Sequence, residues 1–140
     1  METEETRALI QRYYGALGAG DKDELLATLA EDVVWEPPKS AQIDTLTGRE
    51  EVAQALGSKV VKETFDISKP FDVQIRSMIV DRDKAVVQQR IVATALATGN
   101  DYDNEYCWVY TCADGQIAHM EEYADTLVAA HAMGWDTSAP

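Results

Sequence analysis

Cysteine and histidine are scarce in this chain of 140 residues, which has two of each. Cys107 and Cys112 stand five apart on a stretch that reads as one strand, so they point to opposite faces, roughly 17 Å apart at the strand rise. No disulfide can span that distance, which excludes a small, bridge-stapled fold. His119 and His131 come with no HExxH, CxxC or clustered Asp pattern, so no zinc or iron site is expected. Phosphate-cradling GxGxxG and GxxxxGK[ST] loops are absent, and so is the GxSxG nucleophile motif. No apolar run reaches 18 residues, so no membrane span is expected. Basic residues are few: 12 against 25 acidic ones, a net charge of −13. That balance repels nucleic acid and anionic membranes, and neither is expected as a partner. The acids are spread along the chain, which solubility alone explains. The opening METEETRALI is acidic and polar, unlike a secretory signal or transit peptide, so the expected location is cytoplasmic.

What is present suits one compact domain over residues 1–140, with 46% hydrophobic residues to build a core. TRALIQRYYGALGAG has Leu9, Ile10, Tyr13, Tyr14 and Leu17 at helical spacing, with Gly18 and Gly20 to stop it. Asp21 and Glu24 read as a capping box for a second helix carrying Leu25, Leu26 and Leu29. DVVWEPP reads as a short strand ended by Pro37 and Pro38. Thr47 and Glu50 repeat the capping pattern for a third short helix, up to Gly57. From residue 59 the apolar period changes to two. Strands are expected at 71–80, AVVQQRIVATALAT, NEYCWVYTC and IAHMEEYAD, joined by turns at DRDK, TGND and ADG. Helices followed by an antiparallel meander make an α+β design. Asp125 suits the N-cap of a TLVAAHAM helix, and residues 132–140 are expected to form a loose tail.

The faces of the strands carry the functional signal. Asn104, Tyr106, Trp108 and Tyr110 share one side of their strand, and Gln88, Arg90, Val92 and Thr94 share one side of theirs. In the last strand Ala118, Met120, Glu122 and Ala124 oppose Ile117, His119, Glu121 and Tyr123. Tyrosines, an Asn, an Arg and a Glu among apolar neighbours suit a cavity wall better than a solid core.

RYYGALGAGDKDELLATLAEDVVWEPP, LTGREEV and DGQIAHMEEYAD resemble the SnoaL-like and ketosteroid-isomerase-like superfamily, also called nuclear transport factor two-like. The resemblance runs from about residue 6 to residue 130. It implies a cystatin-like α+β barrel: a cone-shaped curved antiparallel sheet covered by three N-terminal helices, around a deep apolar pocket, commonly as a homodimer. Members include polyketide cyclases, isomerases, dehydratases and limonene-type epoxide hydrolases, which generally use neither metals nor organic cofactors. Tyr13 matches the tyrosine of the steroid isomerases, whereas Pro37 and Cys107 replace their base and their oxyanion-hole acid. Arg90 resembles the arginine of the epoxide hydrolases, with Gln89 as the rival alignment. Glu122 stands at their water-activating aspartate and at the acid/base position of some cyclases. Val92, Trp35 and Pro37 replace the remaining members of the hydrolase set.

The resemblance and the alternation converge on Glu122. A carboxylate on an apolar face loses hydration, which raises its pKa towards the range useful for acid/base catalysis. A nearby Arg90 would lower it again. The candidate catalytic pair is therefore Glu122 and Arg90. Tyr13, Tyr14, Trp35, Tyr106, Trp108 and Met120 are the candidate walls for a small apolar ligand. The expected function is a cofactor-independent acid/base enzyme acting on a small, largely apolar, oxygenated molecule. The alternative is a non-catalytic small-molecule-binding or assembly domain. Ile91, Val109, Ile117 and Tyr123 are the expected outer surface for a homodimer contact.

Overall fold

The computed structural model describes residues 1–138. Helix α1 spans Thr3–Ala19 and buries Leu9, Ile10, Tyr13 and Ala16 along one stripe. Gly18 stays inside the helix. Gly20 ends it at φ 65°, the left-handed conformation that a residue without Cβ adopts readily. Asp21 caps α2 (Lys22–Thr28) by accepting from the Glu24 N–H at 3.1 Å. The reciprocal half of the box is missing, because the Glu24 carboxylate pairs with Arg12 at 2.7 Å instead.

Strand β1 (Leu29–Glu36) begins where α2 stops, so Leu29 belongs to the sheet. The two-residue strand β2 (Leu46–Thr47) pairs with β1 and is followed by α3 (Arg49–Gln54). Thr47 does not cap α3. It pairs with Val34, and Gly48 takes the N-cap position with no side-chain bond. Nor does Gly57 stop the helix, which passes through a π-helical segment, Ala55–Lys59, into α4 (Val60–Thr64). A Cβ at Gly57 would lie 3.3 Å from Leu25 Cδ2, so packing against α2 favours the glycine here.

The meander is β3 (Asp72–Asp81), β4 (Lys84–Thr94), β5 (Asp101–Ala113) and β6 (Gln116–Ala124). All its pairs are antiparallel. β1 then joins β6 in parallel, which gives one curved, unclosed sheet in the order β2-β1-β6-β5-β4-β3. The β5–β6 hairpin turns on Asp114 and Gly115, both at positive φ, as its tight two-residue loop requires. Extra residues interrupt the ladders at Arg76 in β3 and at Ala118 in β6. The second bulge reverses one expectation: Ile117 points into the core, fully buried, and not out with Tyr123. Ile91 also faces inward. The outer face of β5 and β6 keeps Val109, His119, Glu121 and Tyr123. Cys112 is buried and Cys107 half-buried, and both are free thiols.

The core lies between α1–α3 and the concave side of the sheet, around Ile10, Leu29, Val33, Ile117 and Met120. Burying each such side chain contributes about 2 kcal/mol, more than exposed ion pairs supply. The chain after β6 is not loose where the tail was expected to begin. Asp125 caps α5 (Thr126–Met133) by accepting from the Val128 N–H at 3.1 Å. Ala132 and Met133 are buried against Phe65, Ala93 and Tyr102. The last carbonyls hold them there: Ala132 accepts from Thr98 Oγ1 at 2.6 Å, and Ala130 accepts from the Trp135 N–H at 2.9 Å. Of the expected tail, residues 139–140 lie outside the described residues. Among the described residues no helix is long and apolar enough to cross a membrane.

Candidate functional site

Helix α1, the π-helical segment Ala55–Lys59 and α4 stand off one end of the concave sheet and leave a cavity of about 980 Å³. Its wall is built by inward positions of the strands, with Val73 and Ile75 of β3 at one edge. β6 contributes Glu122, β5 contributes Tyr102, Tyr106, Trp108 and Tyr110, β4 contributes Gln89 and Ile91, and β1 contributes Trp35. Tyr13 and Tyr14 close it from α1. Phe65, Phe71 and Met133 line the far end.

Glu122 faces inward because β6 alternates regularly after its bulge: Met120 and Glu122 go in, while Glu121 and Tyr123 go out. Its direct cross-strand neighbour is Trp108. The half-buried carboxyl group opens onto the cavity, and Trp35 Nε1–H donates to Oε1 at 3.1 Å. Oε2 has no hydrogen-bond partner among the described residues. Desolvation by the surrounding protein favours the neutral acid, and the Trp35 bond favours the anion. Burial wins, and the Glu122 pKa rises from 4.5 to about 7.

The aromatic groups form one continuous surface. The Trp35 and Trp108 rings stack at 6.3 Å, and Trp108 and Tyr110 stack at 6.0 Å. Tyr14 and Tyr110 share a hydroxyl–hydroxyl bond of 2.6 Å, and the Tyr13 hydroxyl meets Met120 Sδ at 3.9 Å. Tyr102 and Tyr106 also bond through their hydroxyls, with Asn104 Nδ2 donating to Tyr102 at 2.9 Å. Burial pushes the pKa of Tyr13, Tyr14, Tyr102, Tyr106 and Tyr110 upward, so these hydroxyls stay protonated at neutral pH. Met120 is fully buried beneath this surface and supports it without lining the cavity.

Arg90 is not part of the site. It lies on the outer face of β4, where Nε and Nη2 pair with the Asp103 carboxylate at 2.8 and 2.6 Å. Gln89 takes the inward position instead. The sequence carried a signal for this. Residues 85, 87, 89, 91 and 93 are Ala, Val, Gln, Ile and Ala, a more apolar set than Val86, Gln88, Arg90, Val92 and Thr94. With no cation beside it, Glu122 keeps its raised pKa.

His119 is on the outer face, as its alternation implies. Nε2 lies 2.6 Å from Glu36 Oε2, and Nδ1 lies 3.5 Å from Glu121 Oε1. The ligand-type atoms of Glu36, His119 and Glu121 fall within 4.8 Å of one another, a grouping that the sequence spacing does not reveal. Each imidazole nitrogen already faces a different carboxylate, which accounts for the cluster as a polar network outside the cavity.

Over residues 10–120 the chain matches the SnoaL-like domain family. Curated protein sequences offer no match. Among solved structures, an NTF2-like protein from Burkholderia xenovorans LB400 superposes with a TM-score of 0.79 at 24% identity, covering 95% of this chain and 98% of that one. An LEH-like epoxide hydrolase from M. tuberculosis gives a TM-score of 0.70 at 19% identity, covering 94% and 90%. A SnoaL-like polyketide cyclase candidate from Jannaschia sp. CCS1 gives 0.77 at 19%, covering 99% and 95%. At these identities the likeness carries the fold alone.

Proposed function

Because this chain belongs to the SnoaL-like family, we propose that it is a cofactor-independent acid/base enzyme acting on a small, largely apolar, oxygenated molecule. The observation that carries the reading is Glu122: a carboxyl group on the cavity wall, desolvated to a pKa of about 7, with one oxygen held by Trp35 and the other free. A group that titrates at the working pH can both take and give a proton, which suits cyclisation, isomerisation, dehydration or epoxide opening. Trp35 fixes Oε1, so Oε2 is the atom that moves the proton. Tyr13, Tyr14, Trp35, Tyr106 and Trp108 form the surface on which a flat apolar substrate lies. The fold's presence in an LEH-like epoxide hydrolase and a polyketide cyclase candidate supports this range of chemistry. A cavity of about 980 Å³ weighs against a filled, purely structural interior. In this reading the protein works as a homodimer, through the outer face around Val109 and Tyr123. Sedimentation that finds only monomer at micromolar concentration overturns that part.

The test is Glu122→Gln, nearly isosteric and unable to act as a base. The parent protein is incubated with neutral epoxides and enolisable ketones, and products are followed by mass spectrometry. On any compound the parent converts, the variant is expected to lose on the order of 10²- to 10⁴-fold in kcat while ligand affinity stays close to parental. Unchanged turnover removes Glu122 from the mechanism. Recovery of every compound unaltered from the parent protein favours a binding module.

A further inference from the structure

Gln89 is a polar residue on the inward face of β4 whose side chain has no hydrogen-bond partner among the described residues. It is 6% exposed and lines the cavity. Its sequence neighbours on the outer face each have a partner: Gln88 Oε1 accepts from Ser77 Oγ at 2.7 Å, and Arg90 holds Asp103. The Gln89 amide makes no hydrogen bond among the described residues. A carboxamide offers two N–H donors and one acceptor oxygen, and here both ends stay accessible from the cavity, open to a ligand. The wall holds a second unmatched group: Trp108 Nε1–H, on the residue paired with Glu122, is buried without a partner among the described residues.

The ladder fixes how these groups are spaced. Gln89 pairs with Tyr106 across β4–β5, and Trp108 pairs with Glu122 across β5–β6. Gln89 and Glu122 are thus two strands apart and one inward step along, about 12 Å on a flat sheet at standard spacings. Both side chains project into the concave side, so their polar ends approach more closely than their backbones. The aromatic surface of Tyr106 and Trp108 lies between them. The buried lining holds no cationic side chain, and Lys59 is exposed at the rim. An anionic ligand would therefore find no buried counter-charge. A cationic one would pair with Glu122 and occupy the base.

We propose that Gln89 is the specificity-determining residue of this pocket: its amide hydrogen-bonds a second oxygen of an uncharged, flat substrate whose first oxygen function sits at Glu122. This rests on the site assigned above and narrows its substrate class to neutral molecules with oxygen at both ends of an apolar ring system, such as hydroxy-ketones.

The test uses three probes that differ only in oxygen content: 2-ethylnaphthalene, 2-acetylnaphthalene and 2-acetyl-6-hydroxynaphthalene. Equilibrium dialysis measures the Kd of each for the parent, Gln89→Leu and Glu122→Gln. In the parent, the second oxygen is expected to tighten binding about tenfold over the single one. In Gln89→Leu this gain falls below about threefold, with a Tm no lower than the parent's, because leucine needs no hydrogen bond. Glu122→Gln keeps the gain, so loss of catalysis at Glu122 and loss of recognition at Gln89 are read separately. Gln89→Met is the second variant if the leucine protein does not fold. An equal gain in the Gln89 variants and the parent overturns the assignment. So does no gain in the parent, or no binding of any probe.

Discussion

Trp35 Nε1–H donates to Glu122 Oε1 at 3.1 Å, across the parallel pairing of β1 and β6. The two residues are far apart in sequence, and only the pairing of β1 with β6 brings them together. The bond sets which carboxyl oxygen is held and which is free. It also opposes the desolvation that dominates the acid's titration.

Trp35→Phe keeps the ring and removes that donor. A hydrogen bond to the charged form favours the charged form, so its loss moves the Glu122 pKa upward from about 7. The expected rise is on the order of one pH unit, from the value of one bond to a charged group. Carbon-13 NMR of labelled glutamate carboxyls follows it directly. A midpoint at or below the parent's contradicts the role given to Trp35.

The same acid makes stability depend on pH. Its folded-state pKa, about 7, lies above the ordinary 4.5. Below pH 4.5 the group is neutral in both folded and unfolded states and costs nothing. Between the two values the unfolded chain ionises first, so stability falls as pH rises. Above pH 7 the loss is complete, about 3 kcal/mol at about 1.4 kcal/mol per pH unit. Glu122→Gln removes this dependence. Urea unfolding is expected to find the variant more stable than the parent at pH 8, with the two converging near pH 4.5. Other carboxylates cancel in the difference, so parallel pH curves for the two proteins would count against a desolvated Glu122.

Local signals were the readable ones. The stripe Leu9–Ile10–Tyr13, the Asp21 and Asp125 caps and the Asp114–Gly115 turn all follow from neighbours within four residues, and each is present. Alternation placed Tyr106 and Trp108 inward on β5, and Met120 and Glu122 inward on β6, because each pair lies within an uninterrupted run. Where a residue is inserted, parity fails, and the bulge at Ala118 turns Ile117 inward. Arg90 was misplaced for a related reason: a hairpin one residue shorter flips every side chain that follows. Gly57 stays helical and α5 docks through contacts from distant segments, Leu25 and Thr98, which no local pattern encodes.

Arg90→Ala separates the family's pattern from this chain's own geometry. The guanidinium touches Asp103 on the outer face and does not line the cavity. The expected kcat/KM stays within about threefold of the parent, as for an ordinary surface substitution. The pH midpoint of Glu122 stays where it is. A hundredfold loss of turnover would mean that Arg90 reaches the substrate after all.

Gly134 tests whether the end of the chain is part of the domain. It stops α5 at φ 72°, and a Cβ there would lie 3.2 Å from Thr98 Cγ2. Thr98 is also the residue whose hydroxyl holds the Ala132 carbonyl. Gly134→Ala therefore strains the backbone and pushes on the contact that seats Met133 in the cavity wall. The expected cost is about 1–2 kcal/mol for a left-handed non-glycine residue, seen as a Tm lowered by several degrees. Hydrogen exchange in α5 should quicken with it, since the cap secures that helix. Gly134→Asn should cost less, because asparagine tolerates the left-handed conformation better than alanine. If residues after 131 were a loose tail, both substitutions would be silent, and an alanine variant with parental Tm and parental exchange would restore that view.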